Sequence, residues 1–177
     1  MIFLRYFLVI FFGFTCLSLA SIEDDIRYLI DIGDLNKSLE LTKKLSSKSK
    51  DDLALKDFLI GSIYFKLGKY QKAEDFFISA SSGSMNEEYY ASLAKNFLFL
   101  GKINKAKSMA ETTLKFDQDS MEALYVIAKA ELIVGNTEKA IDVFTEQEQL
   151  KNNNEDFNIY LAKKLKSLNF FIETLYI

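Results

Sequence analysis

Apolar and polar positions alternate along this chain with the period of a helix, and the pattern is sharpest in Tyr64–Ala80, YFKLGKYQKAEDFFISA. That stretch predicts the end of one helix, a reversal at Gly68, and a second helix whose Ala73, Phe77 and Ala80 share one face. A pair of this length cannot bury its apolar stripe alone, so neighbouring pairs must supply the missing surface. The neighbours are visible: Gly33, Gly68, Gly101 and Gly135, with Asn169 added, fall at steps of 35, 33, 34 and 34 residues. Each follows an apolar residue and precedes a new amphipathic segment, where a helix must stop and reverse. Glycine closes a helix in the left-handed conformation at no steric cost, and asparagine is the next most tolerant residue there.

Core positions repeat with these turns. Ile26, Gly61, Ala94, Ala128 and Ala162 stand seven residues before a turn, small in all but the first unit, and Ser38, Ala73, Ala106, Ala140 and Thr174 five after it. Larger groups flank them, with Ile60, Leu93, Ile127 and Leu161 eight before and Leu35, Tyr70, Ile103 and Phe171 two after. Small facing small, with large residues alongside, is how two helices interlock. The pattern predicts helix pairs over 22–32 and 35–47, 53–67 and 70–81, 87–100 and 103–115, and 121–134 and 137–149, then 156–168 with a stub from 170. Loops are expected at 46–52, 81–86, 117–120 and 151–155, and no strand anywhere.

With these residues in register, the array resembles the tetratricopeptide repeats, a family of helix–turn–helix units about 34 residues long. The resemblance rests on Gly61, Tyr64, Gly68, Tyr70, Ala73, Phe77 and Ala80, then on Leu93, Ala94, Phe97, Gly101 and Ala106, and on Ala128, Gly135, Ala140 and Phe144. It runs from about Ile22 to the end of the sequence, with degenerate first and last units. Asp57, Tyr90 and Leu124 replace the usual tryptophan, the linker proline is missing, and Glu131 stands where an aromatic is usual. The fold class implied is all-α, a right-handed α-solenoid of about four and a half repeats.

Composition changes this picture mainly by exclusion. The chain has 177 residues, 49% of them hydrophobic and 27% charged, as a folded domain requires, and contains no proline, tryptophan or histidine. Its 22 basic and 25 acidic residues leave a net charge of −3, which does not point to nucleic acid. Cys16 is the one cysteine, so no zinc site or disulfide is expected in the repeat region. Residues 1–20 read as a leader: Arg5 precedes the apolar run Tyr6–Phe14, and Ser18-Leu19-Ala20 supplies small residues for cleavage before Ser21. Residues 21–177 then form one repeat domain. Two other readings stay open, an uncut N-terminal anchor and lipidation at Cys16, although Gly13-Phe14-Thr15 matches a lipobox poorly. Membrane contact is expected only in those two cases.

Acids gather where first helices begin: Glu23, Asp24 and Asp25; Asp51 and Asp52; Glu87 and Glu88; Glu122; Glu155 and Asp156. Adjacent carboxylates could serve acid–base chemistry or a metal, but negative charge at a helix N-terminus complements the macrodipole, and here it recurs with the structural period. No phosphate loop or nucleophile elbow accompanies them, so neither catalysis, nor a cofactor, nor a metal is expected.

The resemblance implies that first helices line a concave groove for a peptide or partner helix. Six residues before each turn stand Arg27, Ser62, Lys95, Lys129 and Lys163; Phe58, Phe65, Leu98, Tyr125 and Leu132 stand ten or three before. This predicts a basic line over an apolar floor, suited to an extended segment whose carboxylate or carbonyls meet the lysines. The competing reading is a solvated ladder in which Lys95, Lys129 and Lys163 only neutralise Glu88, Glu122 and Asp156. The apolar end, with Phe170, Phe171, Leu175 and Tyr176, predicts docking on a second copy or an envelope protein, or folding back over the fourth pair. The function expected is a non-catalytic scaffold of the bacterial cell envelope or periplasm; the alternative is an anchored or lipidated accessory subunit of an envelope assembly or secretion complex.

Overall fold

The computed structural model describes residues 22–140 and 142–143, and among them all regular structure is helical. In order the helices are α1 (22–32), α2 (Leu35–Lys44), α3 (Lys50–Lys66), α4 (Tyr70–Gly83), α5 (Glu87–Phe99), α6 (Ile103–Phe116) and α7 (Met121–Ile133), with α8 starting at 137. The helices expected over 156–168 and from 170, and the end of the one over 137–149, lie outside the described residues. Contacts group the chain into two compact units with their boundary between Met85 and Asn86. Unit 1 holds α1–α4 and unit 2 starts with α5. None of the described helices is long and apolar enough to cross a membrane.

Every turn inside a pair closes as the glycine register predicts. Gly33, Gly68, Gly101 and Gly135 have φ of 85°, 70°, 69° and 84°, and no other described residue has positive φ. At each, the following N–H reaches back over the turn: Lys69 to the Tyr64 carbonyl at 2.9 Å, Lys102 to that of Phe97 at 2.9 Å, and Asn136 to that of Glu131 at 2.8 Å. These bonds satisfy carbonyls that a helix end leaves open, and they need the left-handed residue between donor and acceptor.

The loops between pairs differ from expectation at both ends of the first. Helix α3 begins at Lys50 rather than 53, because Ser49 and Asp52 form a capping box: the Asp52 N–H donates to Ser49 Oγ at 3.0 Å, and the Ser49 N–H to Asp52 Oδ2 at 3.2 Å. Helix α2 stops at Lys44 rather than 47. Its released carbonyls are met from α3, where Lys56 Nζ donates to Lys43 O at 3.3 Å and Leu45 O at 3.4 Å. Helix α4 runs on to Gly83, whose missing side chain permits close approach to α3; a Cβ there would lie 2.9 Å from Ala54 Cβ.

The core follows the small-residue register. Ala73, Ala94, Ala106, Ala128 and Ala140 are all buried. In unit 1 the closest approach is at Gly61, where a Cβ would stand 2.8 Å from a ring carbon of Phe77. Phe77 in turn meets Phe58 and Phe65, with ring centroids 6.0 Å and 6.5 Å away. In unit 2, Leu124, Ala128, Leu132 and Ala140 form one cluster, against which Leu114, Met121, Tyr125 and Val143 pack.

Candidate partner-binding faces of the first helices

Unit 1 presents α1 and α3. Arg27 sits over the Phe58 ring at 5.3 Å from its centroid, and its Nε donates to Glu23 Oε1 at 2.8 Å, one turn back on the same helix. Phe58 itself is only 3% exposed, so it belongs to the core and not to an accessible floor. Phe65 is half-buried and meets Tyr70 edge-on at 5.2 Å. Ser62 occupies the place of the lysine and returns its hydroxyl to the Phe58 carbonyl at 2.9 Å.

Unit 2 presents α5 and α7, which pack against each other. Lys95 Nζ lies 3.4 Å from both carboxylate oxygens of Glu122, so it reaches across to the next first helix and not two turns down its own to Glu88. Both partners are half-exposed, where an ion pair contributes little. Lys129 lies over the Tyr125 ring at 5.3 Å and donates to its hydroxyl at 2.9 Å. Leu98 and Leu132, read as floor, are 8% and 6% exposed and face the core. One residue further on, Phe99 is 50% and Ile133 44% exposed, each one turn beyond a lysine. The apolar surface of this face is therefore Phe99 and Ile133, which the spacing of three before the turn missed and a spacing of two would have found. Lys163 and the C-terminal residues Phe170, Phe171, Leu175 and Tyr176 lie outside the described residues.

A second polar cluster lies between α6 and α7. The Glu131 carboxylate, buried in the place of the usual aromatic, accepts from Lys107 Nζ and from Asn136 Nδ2, the latter at 2.8 Å. The Lys107 bond first, and that of Asn136 second, hold the Glu131 carboxyl below its ordinary value near 4.5, against the opposing effect of burial. Among the described residues, no group of three or more His, Cys, Asp or Glu is placed to hold a metal ion. The arrangement offers contact surfaces and structural ion pairs.

Comparison with known proteins follows the same lines. Residues 58–82 match the family model of the tetratricopeptide repeat. A search of curated proteins finds no match. Among solved structures, the chain is similar to MamA, at 22% identity and a TM-score of 0.64 over 77% of this chain and 81% of that one. It is similar to TTC0263, a thermophilic tetratricopeptide protein of Thermus thermophilus, at 16% identity and a TM-score of 0.69 over 83% and 81%. It is also similar to the first tetratricopeptide domain of Spaghetti (RPAP3), solved with an HSP90 peptide, at 22% identity and a TM-score of 0.55 over 70% and 99%. One repeat in unit 1 matches the tetratricopeptide model, and the helix pairs that close on left-handed glycines in both units share the fold of these tetratricopeptide structures.

Proposed function

We propose that this chain is a non-catalytic scaffold that holds a segment of a partner protein on the first helices of unit 2. The observation that carries the reading is the pair of exposed apolar side chains, Phe99 and Ile133, on two packed first helices beside Lys95 and Lys129. Large apolar groups in water at equivalent places of successive repeats favour a protein contact. The peptide bound to the Spaghetti domain supports the same use of the fold. A photo-crosslinking residue at Phe99 or Ile133, installed in the full chain in cells, should capture one protein identifiable by mass spectrometry. The same residue at Glu111, exposed on a second helix, should not. Equal capture at all three, or none, overturns the reading.

The place of action we propose is outside the cytoplasmic membrane, in the cell envelope, with 1–20 directing export. An anchored or lipidated accessory subunit is the second reading, favoured by the run Tyr6–Phe14 and by Cys16. Mass spectrometry of the mature N-terminus separates them: a start at Ser21 excludes a retained anchor. Docking of a second copy through Phe170, Phe171, Leu175 and Tyr176 belongs to the same proposal, and equal masses by light scattering with and without residues after Ser167 would reject it.

A further inference from the structure

One place in the repeat is covered on every described first helix except α1. Ile63, Asn96 and Ala130 stand five residues before their turns and are at most 1% exposed, whereas Tyr28, at the same place before Gly33, is 64% exposed. Inside each unit, a first helix that follows a pair packs on it: α3 on α2, and α7 on α5 and α6. The corresponding side of α1 is open. Ile32, one turn further on, is exposed as well, but so are its counterparts Leu67 and Val134, so Tyr28 is what sets α1 apart.

Charge sets the same side apart. Eight residues before the turn the later pairs place Ile60, Leu93 and Ile127, but α1 places Asp25, which is exposed, as is Asp24 beside it. The two carboxylates lie three and four residues before Tyr28 and so share its face. Whatever lies on α1 must offer Tyr28 an apolar group and the carboxylates a cation. The last part of the sequence, outside the described residues, has that chemistry. Lys164 and Lys166 precede Phe170, Phe171, Leu175 and Tyr176, and Glu173 is the one acid after Asp156. Five acids and one arginine lie in 22–34, three lysines and one acid in 160–177, so the two stretches attract. The register agrees. Phe171 stands two after Asn169, as Tyr70 and Ile103 stand after their glycines, and Thr174 takes the small place five after, with Ala73 and Ala106. These are second-helix positions, and second helices are what the next first helix packs on.

Resting on the reading that 170–177 docks on a second copy, we propose that its seat is the open side of α1 in the next chain, taking the place there that α2 takes before α3. Tyr28 meets the apolar residues, and Asp24 and Asp25 face Lys164 and Lys166. Each chain then gives one surface and receives on another, so the joint is head to tail and the assembly grows by addition. The test follows mass by light scattering against concentration, for protein expressed from the full sequence. The parent should grow with concentration. Tyr28→Lys and Leu175→Lys should each need at least about tenfold more protein to reach the same mass, the effect of losing one buried apolar side chain. Tyr28 is exposed, so its variant should keep the circular dichroism of the parent. An equal mixture of the two variants should form pairs and stop at two chains, because each retains one sound surface. Asp24→Lys with Asp25→Lys should weaken growth too, and adding Lys164→Glu and Lys166→Glu to that chain should restore it. Growth lost in Leu175→Lys but unchanged in Tyr28→Lys seats the tail elsewhere on the second copy: the inference fails and the reading beneath it stands. A mixture that grows past two chains, or does not pair, means that the joint is not head to tail and overturns the inference alone. Growth lost in Tyr28→Lys alone, growth unchanged in both variants, or a parent that stays monomeric at every concentration overturns both.

Discussion

In unit 1, Gly61 leaves room for the ring of Phe77 to lie against α3, whereas the same two places in the first helix pair of unit 2 hold Ala94 and Ala110, both fully buried. One hairpin thus closes on a large aromatic in a notch without a side chain, and the other on two methyl groups. Both units bury a carboxylate: Glu74 of unit 1 accepts from Gln71, and Glu131 of unit 2 accepts from Lys107 and Asn136. The same period is held together by volume complementarity between α3 and α4 and partly by charge between α6 and α7. The α3–α4 pair should therefore be sensitive to changes of size, and Glu131 should couple unit 2 to pH.

The largest effect expected is in the notch. Phe77 is 2% exposed and touches two further rings, so Phe77→Ala should destabilise the chain by about 3–5 kcal/mol, read as a fall in the urea midpoint. A smaller loss, of about 1–3 kcal/mol, is expected for Gly61→Ala, because the added Cβ would fall 2.8 Å from the Phe77 ring. The sign matters more than the size, since Gly→Ala in an unobstructed helix stabilises by about 1 kcal/mol. Should Gly61→Ala stabilise the protein, the notch is not close-packed and the contrast between the units fails.

Next comes the buried carboxylate. Glu131→Gln should cost about 1.5 kcal/mol, at the low end for a hydrogen bond to a charged group because Lys107 is one-third exposed and can turn to water. The pH dependence follows from the direction of the shift. With its folded value held below the ordinary 4.5, Glu131 stays ionised when the unfolded chain has already taken up a proton. Its contribution is complete above about pH 4.5 and is lost as pH falls through the lower folded value. Asp52 in unit 1 is lowered too, by its bonds with Ser49, and acts with the same sign from the surface. The drop in urea midpoint between neutral pH and pH ~3 should therefore be smaller in Glu131→Gln than in the parent. An unchanged drop would mean that Glu131 carries no such coupling.

How much of this was legible in the sequence depends on the range of the interaction. The turns were legible because each rests on one residue type at one place: a left-handed backbone next to Leu67 or Val134 calls for glycine. The small core positions were legible for the same reason. The proposed contact face was legible only in direction. Successive helix residues point about 100° apart, so Leu98 and Phe99 look equally plausible as surface until the packing of α5 on α6 and α7 decides which is covered. The pairing of Glu131 with Lys107 was not legible, because Lys107 lies 24 residues away on another helix. Ser49 and Asp52 lie in the loop expected to cap the next helix, and the capping box that they form starts α3 at Lys50 rather than 53.

The smallest effect expected concerns the ladder on the face of unit 2, and it separates a structural from a recognition role for Lys95. Lys95 and Glu122 are about one-third and two-fifths exposed, with the ammonium 3.4 Å from either oxygen. Such a pair gains little in high dielectric and gives up side-chain freedom, so a double-mutant cycle of Lys95→Met and Glu122→Gln should return a coupling of only about 0.2–1 kcal/mol, shrinking further in high salt. The triad at Glu131 should keep most of its coupling under the same salt, since its carboxylate is buried. A coupling at Lys95 as large as that at Glu131 would make the ladder part of the framework of unit 2, and a ligand carboxylate could not then displace Glu122 cheaply. A small, salt-sensitive value leaves Lys95 able to exchange Glu122 for a carboxylate of the proposed partner segment, so a stability measurement on the bare chain bears on that proposal.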